Sequence, residues 1–255
     1  MPHHAPIHVQ QCYIGQHRLS YTQQGDGPPL LLIHGFSASR TWWQRNLPAL
    51  AQHHTVYAVD LVGFGQSRRQ IPLSLHDTAT LLAQFIERLG VQHTDVIAHS
   101  MGGLIALLLA AHYPQRVGRM VLAAAAGGAA MGAGLGEMSL RALSASLFCT
   151  PTFIPTIAWD GLRAGPVALL QAAAYLLHTD PMPHTQQVHA PILLVWGAQD
   201  TLVPPWIGHL YKAALPQAEL IVLPKAGHVV MVDQAAHFNQ LALDFLAHGH
   251  PSPTK

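Results

Sequence analysis

Charge is scarce in this 255-residue chain: only 10% of its residues are Asp, Glu, Lys or Arg, against about 25% in an average soluble domain. Lys and Arg together number 13 and Asp and Glu 12, for a formal net charge of +1. That balance supplies neither the basic stripe of a nucleic-acid binder nor an acidic tail. Cysteine is nearly missing. Cys12 and Cys149 alone make no disulfide framework and fit unpaired thiols in a reducing compartment. There is no His-Glu-x-x-His and no Cys-x-x-Cys, and the pairs His3-His4 and His53-His54 lack helical metal spacing, so no metal site is expected. The start, Met1-Pro2-His3-His4-Ala5-Pro6, lacks the basic patch and apolar core of a signal peptide. The longest low-polarity stretch, Val121 to Gly136, is dominated by Ala and Gly and is short for a bilayer span. These absences predict a cytoplasmic chain with no membrane span and no nucleic-acid partner.

Apolar residues, by contrast, make up 50% of the chain, enough for one large core with or without an insertion. Short apolar runs alternate with helical patterns, which predicts an α/β fold with a largely parallel sheet. Strands are expected at Leu30–Ile33, Thr55–Val59, Asp95–Ala98, Met120–Leu122, Pro191–Trp196 and Ala218–Leu223, with an antiparallel hairpin of Gln10–Ile14 and His17–Thr22 turning at Gly15. Helices are expected at Leu75–Leu89, stopping at Gly90, at Leu104–His112, and at Ala235–Ala247. The tail from Gly249 carries two prolines and is expected to be loose.

From about Gly127 to Val188 the alternation breaks. This stretch is too long for a loop inside a compact domain. With helical patches at Gly136–Leu147 and Pro166–Leu177, it reads as a helical cap, residues 127–188, inserted in a core of residues 1–126 and 189–255. The glycines of Gly127–Gly136 suggest a connecting hinge.

The most informative stretch is Val96-Ile97-Ala98-His99-Ser100-Met101-Gly102-Gly103, followed by Leu104–Leu109. An apolar run enters, small residues flank a serine, and an apolar helical run leaves. Small residues two before and two after the serine let strand and helix cross closely at a sharp turn. Such a turn lifts the hydroxyl clear of the backbone and sets the next N–H to face a developing oxyanion.

Together with Leu32-Ile33-His34-Gly35-Phe36, Val59-Asp60-Leu61-Val62-Gly63-Phe64-Gly65-Gln66-Ser67, Trp196-Gly197-Ala198-Gln199-Asp200 with Val203-Pro204, and Ala226-Gly227-His228, this stretch resembles the α/β-hydrolase family, of the capped esterase and C–C hydrolase type. The resemblance covers nearly the whole chain outside the cap. It implies a mostly parallel central sheet with helices on both faces. It also implies Ser100 as nucleophile, His228 as general base and acid, and Asp200 as the carboxylate orienting His228, in the family's chain order. The chemistry asks for the same roles: a serine hydroxyl needs a base on its proton, and the imidazole needs a fixed tautomer. The oxyanion hole would be the backbone N–H groups of Phe36 and Met101. Asp60 would order the Gly63-Phe64-Gly65 loop. The family usually has Gly where this chain has Ala98, which predicts a slightly altered elbow.

At least one of Trp42 and Trp43 is expected in the core. Met138, Phe148, Phe153 and Trp159 in the cap, and Val229 and Val230 after the histidine, are candidate walls of an apolar substrate pocket. The expected function is hydrolysis of carboxylic esters of small to medium apolar substrates, without a cofactor. The alternatives are a C–C bond hydrolase of ring-cleavage products, an acyltransferase, and a non-catalytic small-molecule-binding protein. C–C hydrolases of the family usually carry an aromatic after the catalytic histidine, where this chain has Val229.

Overall fold

The computed structural model describes residues 8–128, 132 and 134–249, without the side chains of Leu135, Met138, Ser139, Ala142, Leu143 and Ser146. Its centre is an eight-stranded sheet of β1 (Val9–Ile14), β2 (His17–Gln24), β3 (Pro29–Ile33), β4 (Thr55–Asp60), β5 (Thr94–His99), β6 (Val117–Ala123), β7 (Ile192–Gly197) and β8 (Ala218–Leu223). The strand order is β1-β2-β4-β3-β5-β6-β7-β8. β1 pairs antiparallel with β2, and β2 antiparallel with β4; all later pairs are parallel.

The local causes are readable. Ile14 pairs with His17, which leaves a two-residue turn at Gly15-Gln16. Gly15 takes φ 57°, a conformation favoured in tight hairpins and suited to glycine. The central strands are near-continuous apolar runs because helices cover both faces. Their side chains divide by parity. Leu31, Ile33, Val96, Ala98, Leu122 and Leu194 enter one core cluster. Leu30, Leu32, Ile97, Val121, Leu193 and Val195 enter the other.

The helices are α1 (Leu47–Leu50), α2 (Leu75–Arg88), α3 (Met101–His112), α4 (Leu135–Ser146), α5 (Ile154–His178), α6 (Met182–Thr185), α7 (Pro205–Ala214), α8 (Val230–Asp233) and α9 (Ala235–His248). Ser74 caps α2, its hydroxyl accepting from the Asp77 N–H and donating to the Asp77 carboxylate. α3 is apolar all round, and Met101 to Ala111 are all buried, as a helix wrapped by its own protein must be.

Three helical features depart from the sequence expectation. α5 begins at Ile154, twelve residues before the expected Pro166, and carries a kink at Gly165 (φ 77°, ψ 162°). Pro166 starts the second half, where its missing N–H is harmless, and forces the residue before it out of helical geometry. α7 was not anticipated. Its apolar face is short, with Ile207, Gly208 and Tyr211 buried. The single-turn helices α1, α6 and α8 were also not anticipated. The middle of the expected Gly127–Gly136 hinge, residues 129–131 and 133, and the end of the expected loose tail lie outside the described residues. Among the described residues, no helix is long and apolar enough to cross a membrane.

Candidate active site

Ser100 stands between β5 and α3 with φ 52° and ψ −119°. A β-substituted residue is strained there and persists only when its surroundings over-determine it. They do: the Ser100 N–H donates to the Ala123 carbonyl at 3.0 Å, and its own carbonyl accepts from Gly103 and Ala126, both at 2.9 Å. Gly102 gives α3 room to start. A Cβ there would lie 2.6 Å from the Ile33 carbonyl oxygen. Ala98 is fully buried in the α2–α3 core, so the extra methyl is accommodated beside a serine that keeps its left-handed turn.

Two further loops bring partners to this hydroxyl. After β7, Asp200 accepts on Oδ1 from the Leu202 and Val203 N–H groups at 2.9 and 2.8 Å. After β8, His228 places Nδ1 2.9 Å from Asp200 Oδ2 and Nε2 3.0 Å from Ser100 Oγ. With the Asp200 carboxylate on Nδ1, that nitrogen carries the proton, and Nε2 is left to accept from the serine hydroxyl. All three side chains are buried. The His228 loop is itself held: Asp233 Oδ2 accepts from the Gly227 N–H at 3.0 Å, while its Oδ1 accepts from the Thr150 N–H and hydroxyl. Asp233 therefore joins the histidine loop to the segment between β6 and β7.

The Phe36 N–H belongs to the peptide whose carbonyl is that of Gly35. The Leu61 N–H donates to His34 Nε2 at 3.0 Å, so His34 Nδ1 carries the proton and donates to the Gly35 carbonyl at 2.7 Å. A trans peptide points its N–H away from its carbonyl, so this bond fixes the direction of the Phe36 N–H. Gly35 also lies directly on Ser100: a Cβ there would stand 3.0 Å from both Ser100 Cβ and His99 Nδ1. Met101 is the first residue of α3, where N–H groups have no intrahelical acceptor and the helix dipole favours negative charge.

Two more buried imidazoles surround the site. Burial pushes the proton affinity of His34 down. Burial first, and then the neighbouring His228, push that of His99 well below the ordinary histidine range. His99 Nε2–H donates to the His228 carbonyl at 3.1 Å, and the two rings are 4.8 Å apart. Asp60 accepts from the Arg40 and Gln66 N–H groups and pairs with the Arg40 guanidinium. It thus holds the loop that follows β4.

The candidate pocket residues separate. Phe153 is buried edge-on against Trp42, with ring centroids 5.2 Å apart. Val229 and Val230 are buried in the same core cluster. Phe148 is 41% exposed, with its carbonyl against Gly227. Trp159 is 59% exposed under the Arg163 guanidinium and lines an outer cleft of about 550 Å³ with Ser39, Gln44 and Pro155. Met138 lies on α4, its side chain outside the described residues. Both Trp42 and Trp43 are buried. A larger hollow of about 1080 Å³ opens at the opposite edge of the sheet, by Pro28, Asp95 and Pro191, and contains none of the three hydrogen-bonded residues.

Sequence reading missed Asp160. It is buried on α5 and accepts from the Ser39 hydroxyl at 2.7 Å and the Trp42 indole N–H at 3.0 Å. One acid among apolar neighbours was the only available signal.

Comparison with known proteins agrees with the fold. Residues 28–146 and 153–235 match the family model of the alpha/beta hydrolase fold. The chain is 31% identical over 258 residues to the dihydrolipoyllysine-residue acetyltransferase component of an acetoin cleaving system from Pseudomonas putida, covering 93% of this chain and 69% of that one. It is 30% identical to the pimeloyl-[acyl-carrier protein] methyl ester esterase of Neisseria meningitidis, covering 84% and 92%. A thermophilic esterase from Thermogutta terrifontis superposes with a TM-score of 0.81 at 24% identity, over 95% and 99% of the two chains. With the family model spanning most of its length, the chain belongs to the alpha/beta hydrolase family.

Proposed function

We propose that this protein is a serine carboxylesterase that works through an acyl-enzyme, with residues 127–188 acting as a cap over the site. The observation that carries this reading is the hydrogen-bonded chain Ser100–His228–Asp200, with the serine on a strained strand-to-helix turn. Ser100 Oγ attacks the ester carbonyl as its proton passes to His228 Nε2. Asp200 holds the resulting imidazolium. The Phe36 and Met101 N–H groups receive the oxyanion. The alcohol leaves with the proton from His228, and water releases the acid by the reverse relay. These steps call on no cofactor.

The substrate class follows from the surroundings. Phe148 offers exposed apolar surface beside the histidine loop, backed by the buried Phe153, Val229 and Val230, and charge is sparse throughout. Uncharged esters with apolar acyl groups fit such walls, and Trp159 with Arg163 would stand at the outer seam between cap and core. The esterase relative supports this reading. The acetyltransferase-component relative favours a second one, in which the same acyl-enzyme passes its acyl group to an acceptor other than water. Val229, in place of an aromatic, weighs against C–C cleavage.

The test is hydrolysis of p-nitrophenyl esters from acetyl to dodecanoyl by the wild type and by Ser100→Ala. Turnover that disappears with the mutation supports the esterase, and the chain-length optimum sizes the pocket. A folded wild type that releases p-nitrophenol only when an alcohol or thiol acceptor is added favours acyl transfer. No release under either condition contradicts both readings.

A further inference from the structure

Away from the serine, three histidines from three separate helices converge. His76 lies in the first turn of α2, His112 is the last residue of α3, and His184 lies in α6. One ring nitrogen from each lies within 4.8 Å of the others. The ring centroids are 5.1 to 5.4 Å apart. α3 starts beside Ser100 and has 12 residues, so its rise of about 1.5 Å per residue sets His112 roughly 18 Å from the serine.

We infer that these three imidazoles form a zinc-binding site that joins the end of the β6–β7 segment to the core. Three neutral imidazoles with a water in the fourth position make a common tetrahedral zinc site, and imidazole suits zinc, nickel and copper far better than magnesium or calcium. Zn–N bonds of about 2.0–2.1 Å place tetrahedral ligand nitrogens about 3.3 Å apart. Closing from the observed separation takes small side-chain rotations, and His76 and His112 are exposed and free to make them.

The backbones are already fixed. The Tyr113 hydroxyl donates to Thr80 Oγ1 at 3.0 Å, clamping the end of α3 to the start of α2. Thr185 and Val188 beside His184 are buried. A second observation points to a ligand: His184 Nδ1 is a buried ring nitrogen with no hydrogen-bond partner. A buried polar atom without a partner is unfavourable unless something satisfies it, and a metal ion bound through this nitrogen would do so. The Asp180 carboxylate acts on His184 from the preceding loop, adding negative charge beside the cation. Because α6 ends the segment returning from α5, zinc at this point would shorten the tether between the proposed cap and the core. The ion would be structural, since nothing in the hydrolytic steps reaches it.

The test uses the full chain without a histidine tag. Zinc is titrated calorimetrically at pH 7.5 into the wild type, into His76→Ala/His112→Ala and into His184→Ala, with Co²⁺ absorption reporting coordination geometry. The metal-free thermal transitions establish that each variant folds. The wild type is expected to take one more zinc ion than either variant and to give the intense visible bands of tetrahedral cobalt. Its Tm should rise by about 5–10 °C at zinc a hundredfold above Kd, with amide exchange slowed at residues 182–185. Equal zinc stoichiometry and affinity in all three proteins would overturn the proposal. So would saturation by Ni²⁺ or Cu²⁺ with no zinc bound.

Discussion

Two groups of three histidines occupy this molecule under opposite conditions. His34, His99 and His228 are buried at the C-terminal edge of the sheet, and their hydrogen bonds decide which nitrogen of each ring carries the proton. His76, His112 and His184 meet at helix ends with two of the three exposed, and their own contacts are ring to ring. The same side chain is thus held in a fixed direction by hydrogen bonds in one place, and in the other meets only its neighbouring rings. Burial does the sorting. A desolvated imidazole stays neutral, and the hydrogen bond it makes fixes its tautomer, as His99 shows with Nε2–H on the His228 carbonyl and Nδ1 buried without a partner; an exposed one stays free to bind.

Breaking the buried group at its centre should have the largest effect. Ser100→Ala is expected to lower kcat for ester hydrolysis on the order of 10⁵- to 10⁶-fold, and Asp200→Asn on the order of 10⁴-fold. Steady-state kinetics on the optimal p-nitrophenyl ester measures both. A loss under tenfold for Ser100→Ala would remove the serine from the chemistry.

One step outward, His34→Ala frees the Gly35–Phe36 peptide without deleting its N–H. The expected fall in kcat is roughly tenfold to a hundredfold, less than the 10²–10³ for removing an oxyanion donor. If KM rises instead at unchanged kcat, His34 is holding substrate rather than the peptide.

Asp160→Ala leaves the Ser39 hydroxyl and the Trp42 indole without their buried acceptor. Urea denaturation should register a loss of about 1–3 kcal/mol. An unchanged midpoint would mean that both donors find other partners.

The remaining effect concerns pH. Burial pushes His34, His54 and His99 below the ordinary histidine value. In the unfolded chain these rings take up protons as pH falls through about 6.5; in the native protein they do not until lower pH. The unfolded state then binds more protons, so stability falls as pH drops below about 6.5 and levels off once each folded-state value is passed. Urea midpoints at pH 7.5 and 5.5 should differ in that direction. Equal midpoints would mean that the buried rings titrate as freely as exposed ones.

The same contrast explains what was legible in the sequence. The strands were readable because parallel central strands are continuous apolar runs. Ser100, Asp200 and His228 were readable because each follows such a run in a short motif. The first half of α5 was obscured by Pro155 and Gly161, and α7 by an apolar face of only three residues. Phe153, Val229 and Val230 could be named as apolar, but their burial depends on what packs over them. The second group of histidines was illegible for a simpler reason. His76, His112 and His184 are far apart in the chain, and tertiary packing alone makes them neighbours.

The central claim is that Ser100 is the nucleophile activated by His228. The most direct measurement is brief exposure of the native protein to a fluorophosphonate, followed by intact-mass analysis and peptide mapping. One adduct per chain on Ser100, absent in Ser100→Ala and strongly slowed in His228→Ala, is the predicted result. A folded protein that stays unlabelled, or is labelled at another residue, would contradict it.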